Sequence, residues 1–509
     1  MKNKELELNL PIDYSEEYLI SRIKKKTGLS DFSYSIENKS LDARKKKDIH
    51  WNLRLLVRRK KNENDQIQKP QSLKFFYKKG RGTAVVVGSG PAGIFSALVL
   101  QESGYETTIL ERGSEIKKRI VDIDSFEKTA EFNSQNNYAF GEGGAGTFSD
   151  GKLTSRSKKI SDIRKYILNI FIEAGAPDEI SYMKHPHIGS NNLKVITKKL
   201  REKFISLGGT IIFDSIFTGF KSESAKVTNV QHDKGELATD LLYVATGHSA
   251  YDSYRTLMKH DVAFRLKSFA IGARVEHEQL LINRNQWGCD SLPGLNAAEY
   301  RLSSRGDHHY PVYTFCMCPG GTIVPAAAYG GRSVVNGMSQ YNRAGKFANA
   351  ACVAAVDINE LSGKTLSPND ALTWLDDLEK SFYDFSSGYQ LPSCSIKEFI
   401  ESADPSIPRE SSYRLGHKAA QLWTMLPSKL SESMRAGLLE FSKKIDGYDQ
   451  GYIMGLESKT SSPIQVIREE SGLCAGFENL YVIGESSGLS GGIISSSAVG
   501  IRMVLNQIQ

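Results

Sequence analysis

The stretch 83–113, TAVVVGSGPAGIFSALVLQESGYETTILERG, constrains the chain more than any other. A short β-branched run at 84–87 reads as a buried parallel strand. Gly88-Ser89-Gly90-Pro91-Ala92-Gly93 follows at once, and an apolar run of helical length, 94–101, closes at Gly104. A second strand, 107–110, delivers Glu111, 18 residues beyond Gly93. The three motif glycines differ in what they permit. Gly88 allows the tight turn, Gly90 admits a pyrophosphate to the backbone, and Gly93 lets helix pack on strand. The helix start offers free N–H groups and about half a positive charge to phosphates. Glu111 stands near the roughly 20-residue spacing at which an acid meets a ribose. Strand, turn, helix, strand and acid in this order predict a dinucleotide-binding unit.

At 509 residues the chain exceeds one core, so two or three domains are expected. No apolar run approaches the roughly 18 residues of a membrane span, and MKNKELELNL lacks a signal-peptide core. The six cysteines, at 289, 316, 318, 352, 394 and 474, form no CxxC pair and no disulfide framework. These features predict a cytoplasmic protein without a membrane partner. The net charge of +7 is uneven: residues 1–80 hold 20 Lys and Arg against 11 Asp and Glu. That segment reads as a small basic α/β module, with a strand at 6–10, an amphipathic helix at 15–26, a hairpin from 32–38 and 49–57, and a linker over 62–80. Its clusters Lys24–Lys26, Lys45–Lys47 and Arg58–Lys61 raise a nucleic acid as a partner. No RNA-binding motif accompanies them, so a solvated docking surface is the stronger expectation.

Beyond the motif lies a charged helix at 114–128, then FGEGGAGTFSDGKLTSR from Phe140. Residues 141–146 match GxGxxG without a preceding strand, so they read as a loop that lays backbone N–H groups against a flat ring or pyrophosphate. From 190 the pattern is helix, Gly-Gly turn and strand, and a further strand runs through 241–244 into ATGH. Segments 262–277, 310–318, 322–328 and 332–339 are short, β-rich and separated by glycine turns, which predicts an antiparallel meander. Helices are expected near 369–384, 414–424 and 429–443, and no second strand-GxGxxG-helix-acid unit marks a separate NAD(P) domain. At the C-terminus, strand 480–483 leads through Gly484 and Glu485 into a glycine-led helix. A dinucleotide fold opened near residue 83 and completed by the last 30 residues is discontinuous, a return that ordinary NAD dehydrogenases seldom need. The expected architecture is α/β: a discontinuous Rossmann-like FAD-binding domain (81–255 and 452–509), an antiparallel-sheet substrate domain (256–451) and the small N-terminal α/β domain (1–80).

Taken together, VVVGSGPAGIFSAL, LERG, ATGHSA and LYVIGESSGLSGGI resemble the glutathione-reductase-like FAD superfamily. SLDARKKK, FGEGGAGTFSDGKLTSR, HPHIGSNNL, FAIGARVEH, FCMCPGGTIVPA and NGMSQYNRAGKFAN narrow the likeness to a group of bacterial FAD-dependent dehydrogenases, over nearly the whole chain. The resemblance implies FAD held by Gly88, Gly90, Pro91, Ala92, Gly93, Glu111 and Arg112, and by Gly144, Ala145, Thr147, Asp150, Gly151 and Lys152. It adds Ala245, Thr246, Gly247, Gly484, Glu485, Gly491, Gly492 and Ile493. The group's C-terminal motif reads close to GEGAGYAGGI, from which Ser486, Ser487, Leu489 and Ser490 depart. Disulfide-reductase members carry a cysteine pair after a GG-T motif; Gly144-Ala145-Gly146-Thr147-Phe148 stands here instead and disfavours that mechanism.

Candidates for chemistry lie elsewhere. Cys316 and Cys318 have strand spacing, which places both sulfurs on one face as a redox pair or as core filler. His185 and His187 are proton-donor candidates. Arg274 with Arg343 could clamp a substrate carboxylate or serve structural ion pairs. His308 and His309 fit no standard zinc spacing, and no metal is expected. The expected function is FAD-dependent oxidoreduction of a small molecule with a separate electron donor or acceptor. The alternatives are an RNA-associated flavoprotein and a non-catalytic FAD-binding scaffold.

Overall fold

The computed structural model describes residues 4–60, 73, 75–155, 157, 159–305 and 309–508. Most of the linker expected over 62–80, together with Lys61 and His308, lies outside them.

The motif strand Thr83–Val87 is the middle of a five-stranded parallel sheet. On one side it pairs with Glu106–Leu110 and then Thr210–Ile212; on the other with Leu241–Val244 and then Leu480–Val482. Alternation along the strand sets the two layers. Ala84 and Val86 face the helices Pro91–Glu102, Ser161–Glu173, Ser190–Ser206 and Ile493–Ile508. Val85 and Val87 face a small antiparallel sheet, Phe217–Glu223, Lys226–His232 and Gly235–Ala238, whose separate identity the sequence did not disclose. Phe95, Leu98 and Leu100 of the motif helix are fully buried, and each contributes about 1.5–3 kcal/mol by leaving water. The last helix lies against the motif helix so closely that a Cβ on Gly500 would sit 2.3 Å from Ser96 Oγ.

The second large sheet has seven strands in the order Ser303–Ser304, Val312–Cys318, Phe347–Val356, Phe269–Glu278, Tyr452–Glu457, Leu391–Ser395 and His417–Ala419. It is not the expected meander. Phe269–Glu278, buried at every position but its last, pairs with two strands far away in sequence, and glycine turns carry no information about such partners. Tyr452–Glu457 therefore belongs to this sheet, and the boundary expected at 451/452 is displaced past it. The helix expected over 414–424 is replaced by the short strand His417–Ala419, parallel to Leu391–Ser395, and a single turn, Leu422–Met425. Residues 322–325 and 335–338 form their own hairpin. Helices Pro368–Ser386 and Ser428–Lys444 cover the sheet.

The N-terminal strands order as Lys4–Pro11, His50–Arg59 and Phe32–Asp42, with helix Glu16–Thr27 capped by Ser15 and closed by Gly28. Leu19 and Ile23 pack on Leu6, Leu8, Leu53 and Leu55. Backbone hydrogen bonds from Lys39 N to Tyr182 O and from Lys184 N to Lys39 O, both 2.9 Å, tie this unit to the segment before His185. Among the described residues no helix is long and apolar enough to cross a membrane.

Candidate functional site

The loops that leave the carboxyl ends of the central parallel strands converge. A Cβ on Gly88 would lie 2.5 Å from the Ala245 carbonyl oxygen, and one on Gly93 would lie 1.9 Å from Gly88 O. These glycines close the turn on itself. A Cβ on Gly144 would approach Gly90 Cα at 3.1 Å, so the two glycine loops face each other. Gly146 abuts Pro91 and Ile493, and Gly484 abuts Ala92. Segments separated by hundreds of residues thus share one cleft, in which Thr246 and Gly247 follow the strand Leu241–Val244.

Gly90 and Gly491 differ from the rest. Neither has a left-handed φ, and the only atoms near their missing Cβ are Gly144 Cα and Glu485 Oε1, each at 3.8 Å. Neither conformation nor packing demands glycine there. Each stands just ahead of a helix, Pro91–Glu102 or Ile493–Ile508, where unpaired N–H groups and the helix dipole favour an anion. The hydroxyls of Ser490 and Ser496, beside the second helix start, are buried without a hydrogen-bond partner. Open glycines and orphaned donors are what a bound dinucleotide would fill.

The acids and cations behave differently from expectation. Glu111 is buried; its Oε2 accepts from Ser89 N (2.9 Å) and Ser89 Oγ (2.6 Å), and its Oε1 from Gly113 N (3.0 Å) and Gly141 N (3.2 Å). These bonds fill the carboxylate's acceptor positions. Glu111 is thus a clamp between the motif turn and the second glycine loop, where a ribose acceptor was expected. Arg112 pairs with Asp252 and lies over the Phe140 ring at 4.3 Å. Asp150 is held bidentately by Arg343 (3.1 and 2.6 Å). Burial would raise the Asp150 carboxyl, yet Arg343 and Lys152 hold it below the usual range. Thr147 Oγ1 meets Thr197 Oγ1 at 3.3 Å inside the 3-10 turn Ala145–Phe148, and Gly151 is crowded by Leu193.

Two residues absent from the sequence-based candidates organise the cleft. Arg119, fully buried, donates to the carbonyls of Asn137, Tyr138, Gly141, Glu142 and Gly144 and so fixes the course of the second glycine loop. Burial lowers its guanidinium to about 10, against the opposing pull of Glu111 and Glu142. Its signal was an arginine at the apolar spacing of Ile116, Ile120 and Ile123. His248 Nδ1 meets Glu485 Oε2 at 2.8 Å and its Nε2 meets Lys459 O at 2.8 Å, while Gly492 N donates to Glu485 Oε1 at 2.8 Å. Burial would raise the Glu485 carboxyl, but His248 and the Gly492 N–H hold it low.

Of the candidates for chemistry, Arg274 is not available as a clamp. It is fully buried and committed to Glu457 (2.9 Å), Asn349 (2.8 Å), Asn336 (3.3 Å) and the Cys316 carbonyl (2.9 Å). His187 Nε2 binds the Tyr341 carbonyl at 2.9 Å, its ring stacks on Tyr341, and burial lowers its pKa. His185 is exposed. Cys316 and Cys318 do not alternate as in a regular strand: a bulge between Phe315 and Cys318 puts Cys316 at φ +43°. His309 pairs with Glu432, and no group of three or more metal-ligating side chains forms among the described residues.

Residues 268–460 match the family described as FAD-dependent protein, C-terminal domain-like, and residues 1–58 match a domain of unknown function. An uncharacterized protein of Clostridium beijerinckii is 36% identical over 99% of this chain and 98% of its own length. Among solved structures, CtdE in complex with FAD is 12% identical over 84% of each chain, with a TM-score of 0.35. L-proline dehydrogenase from P. horikoshii is 12% identical over 85% of this chain and 94% of its own, with a TM-score of 0.35. Glycine oxidase from Bacillus cereus is 11% identical over 84% and 95%, with a TM-score of 0.33.

Proposed function

The chain belongs to one family with the clostridial protein and is FAD-dependent, and from that premise we propose that it is a flavin-dependent oxidoreductase of the glutathione-reductase-like superfamily acting on a small molecule. The observation that carries the reading is the pair Gly90 and Gly491, glycines that the protein itself does not need, at the starts of two helices that meet in one cleft.

In this reading residues 81–255 and the segment after residue 460 form the cofactor-binding body, 256–460 the substrate part, and 1–80 an appendage. Gly90 and the N–H groups opening the motif helix receive the pyrophosphate, with Gly144 closing over it. Gly491, Gly492 and the hydroxyls of Ser490 and Ser496 meet the other end of the cofactor. FAD, when bound, supplies two-electron acceptance and return. Glu111 and Arg119 fix the two glycine loops, so no reorganisation is needed as the anion enters. His248 holds Glu485 and, through it, the Gly492 N–H at the mouth of the last helix.

Protein purified from cells should be yellow and release FAD on denaturation. A colourless protein that also fails to take up added FAD would remove this reading. Reduction of the bound flavin by a donor, followed by reoxidation, separates an enzyme from a scaffold that merely holds the cofactor.

A further inference from the structure

We propose that Cys316 and Cys318 form a thiol–disulfide exchange site, with Cys316 as the attacking thiolate, Cys318 as the resolving thiol, and a disulfide as the substrate class. The site goes beyond the flavin reading and stands without it.

The geometry begins with the bulge. The strand Val312–Cys318 pairs regularly with Phe347–Val356 as far as Phe315 opposite Ala351, then slips so that Cys318 faces Asn349. The extra residue re-aims the chain, as bulges beside functional groups do. Phe315 is exposed and Cys316 half-exposed, whereas Met317 and Cys318 are buried behind them. The first cysteine thus keeps some exposure, and the second keeps none. Cys318 Sγ donates to the Cys316 carbonyl oxygen at 3.3 Å, which turns the second thiol back toward the first cysteine.

Two cations converge on the pair. Arg274 Nη2 is 3.6 Å from Cys318 Sγ and 2.9 Å from the Cys316 carbonyl, and the Lys152 ammonium donates to the carbonyl of Met317, between the cysteines. The acids nearby are already engaged: Glu457 by Arg274, Asp150 by Arg343, and Glu299 near both Lys152 and Arg343. The Cys318 thiol, then Lys152 and Arg274, hold the Cys316 thiol below its ordinary range against burial and Asp150, while Cys318 is raised. One thiolate and one protonated thiol is the pairing that exchange requires.

In the step, Cys316 Sγ attacks one sulfur of the substrate disulfide, the substrate S–S bond breaks, and one thiolate leaves. Cys318 then attacks Cys316 Sγ, passing its proton to the departing second thiolate. The protein dithiol becomes a disulfide, and the substrate disulfide becomes one thiol and one thiolate. Two electrons move and no other oxidant is consumed.

The test uses the full-length protein, glutathione disulfide and iodoacetamide, read by peptide mass spectrometry. In the wild type, glutathione disulfide should join Cys316 to Cys318 with loss of two hydrogens. Iodoacetamide at neutral pH should label Cys316 on the order of tenfold faster than Cys289, the other half-exposed thiol, which donates to Ser291 O. Cys318→Ser should trap a glutathione adduct on Cys316, and Cys316→Ser should leave Cys318 unmodified. Equal labelling of Cys316 and Cys289, or a stable Cys316 adduct in the wild type with no internal disulfide, would overturn the proposal. The wild-type readings stand even if a variant fails to fold. FAD content, measured on the same sample, reports on the flavin reading separately.

Discussion

Nδ1 of His248 lies 2.8 Å from Oε2 of Glu485, although the two residues are 237 positions apart in the chain. The contact joins the loop after strand Leu241–Val244 to the loop after strand Leu480–Val482, and Glu485 passes the constraint on to Gly492 N. It is a cross-brace over the cleft mouth.

That brace should show in the pH dependence of stability. A carboxyl whose pKa is lower in the folded than in the unfolded state contributes stability that is complete above roughly pH 4.3 and lost as pH falls further. The melting-temperature gap between the wild type and His248→Gln should thus be a few degrees near neutrality and should narrow below about pH 4. A gap that stays constant into acid would mean that the pair does not hold Glu485 in its ionised form.

Gly90→Ala and Gly93→Ala should separate binding from folding. A methyl on Gly93 meets the Gly88 carbonyl at 1.9 Å, so that variant should lose about 1–3 kcal/mol or more in urea unfolding. Gly90→Ala meets nothing closer than 3.8 Å and should change FAD-free stability by no more than about 0.5 kcal/mol, yet weaken FAD in titration calorimetry. Parental FAD affinity in Gly90→Ala would place the pyrophosphate elsewhere.

Arg119→Met should be severe because Arg119 fixes the course of the second glycine loop. It removes a donor from five carbonyls, of which Gly141 O and Gly144 O still accept from Gly144 N and Thr147 N, and each group left unsatisfied costs about 1–3 kcal/mol before relaxation. The expected outcome is a large drop in unfolding free energy and poor FAD retention; a variant as stable as the parent would show the loop to be held by other contacts.

Arg274 and Glu457 form a buried pair, so breaking it should differ from removing it. Arg274→Met alone should cost about 3–5 kcal/mol, because Glu457 is then stranded in an apolar interior. Adding Glu457→Leu should recover much of that loss. If Arg274 instead clamped a substrate, the double variant would regain nothing and the single one would alter KM without altering stability.

Glu111→Ala offers a choice between two roles. A ribose acceptor alone would leave the FAD-free protein unchanged. The clamp seen here predicts that this variant melts several degrees lower without FAD, since Ser89, Gly113 and Gly141 lose their common acceptor. Equal melting of the FAD-free proteins would restore the ribose role.

What could be read from the amino-acid order is the set of parts whose signals are local. The run 83–113 placed its strand, turn and helix, because glycine spacing, β-branched runs and apolar periodicity act over a few residues. The return of Leu480–Val482 to the parallel sheet was legible for the same reason, since that stretch repeats the strand-then-glycine-then-helix pattern. The pairing of Phe269–Glu278 with Phe347–Val356 and Tyr452–Glu457 emerges only in the folded molecule, because a strand buried on both faces shows no alternation to point at its neighbours. Folding also settles the fate of the charged groups. Glu111, Asp150 and Arg274 look in sequence like residues free to meet a ligand, and Arg119 like one more charge on a helix. Burial makes an unpaired charge too costly, so each is tied to partners that no local pattern names. Gly90 and Gly491 take on no such tie, since a position without a side chain has no partner to acquire and stays open to whatever enters the cleft.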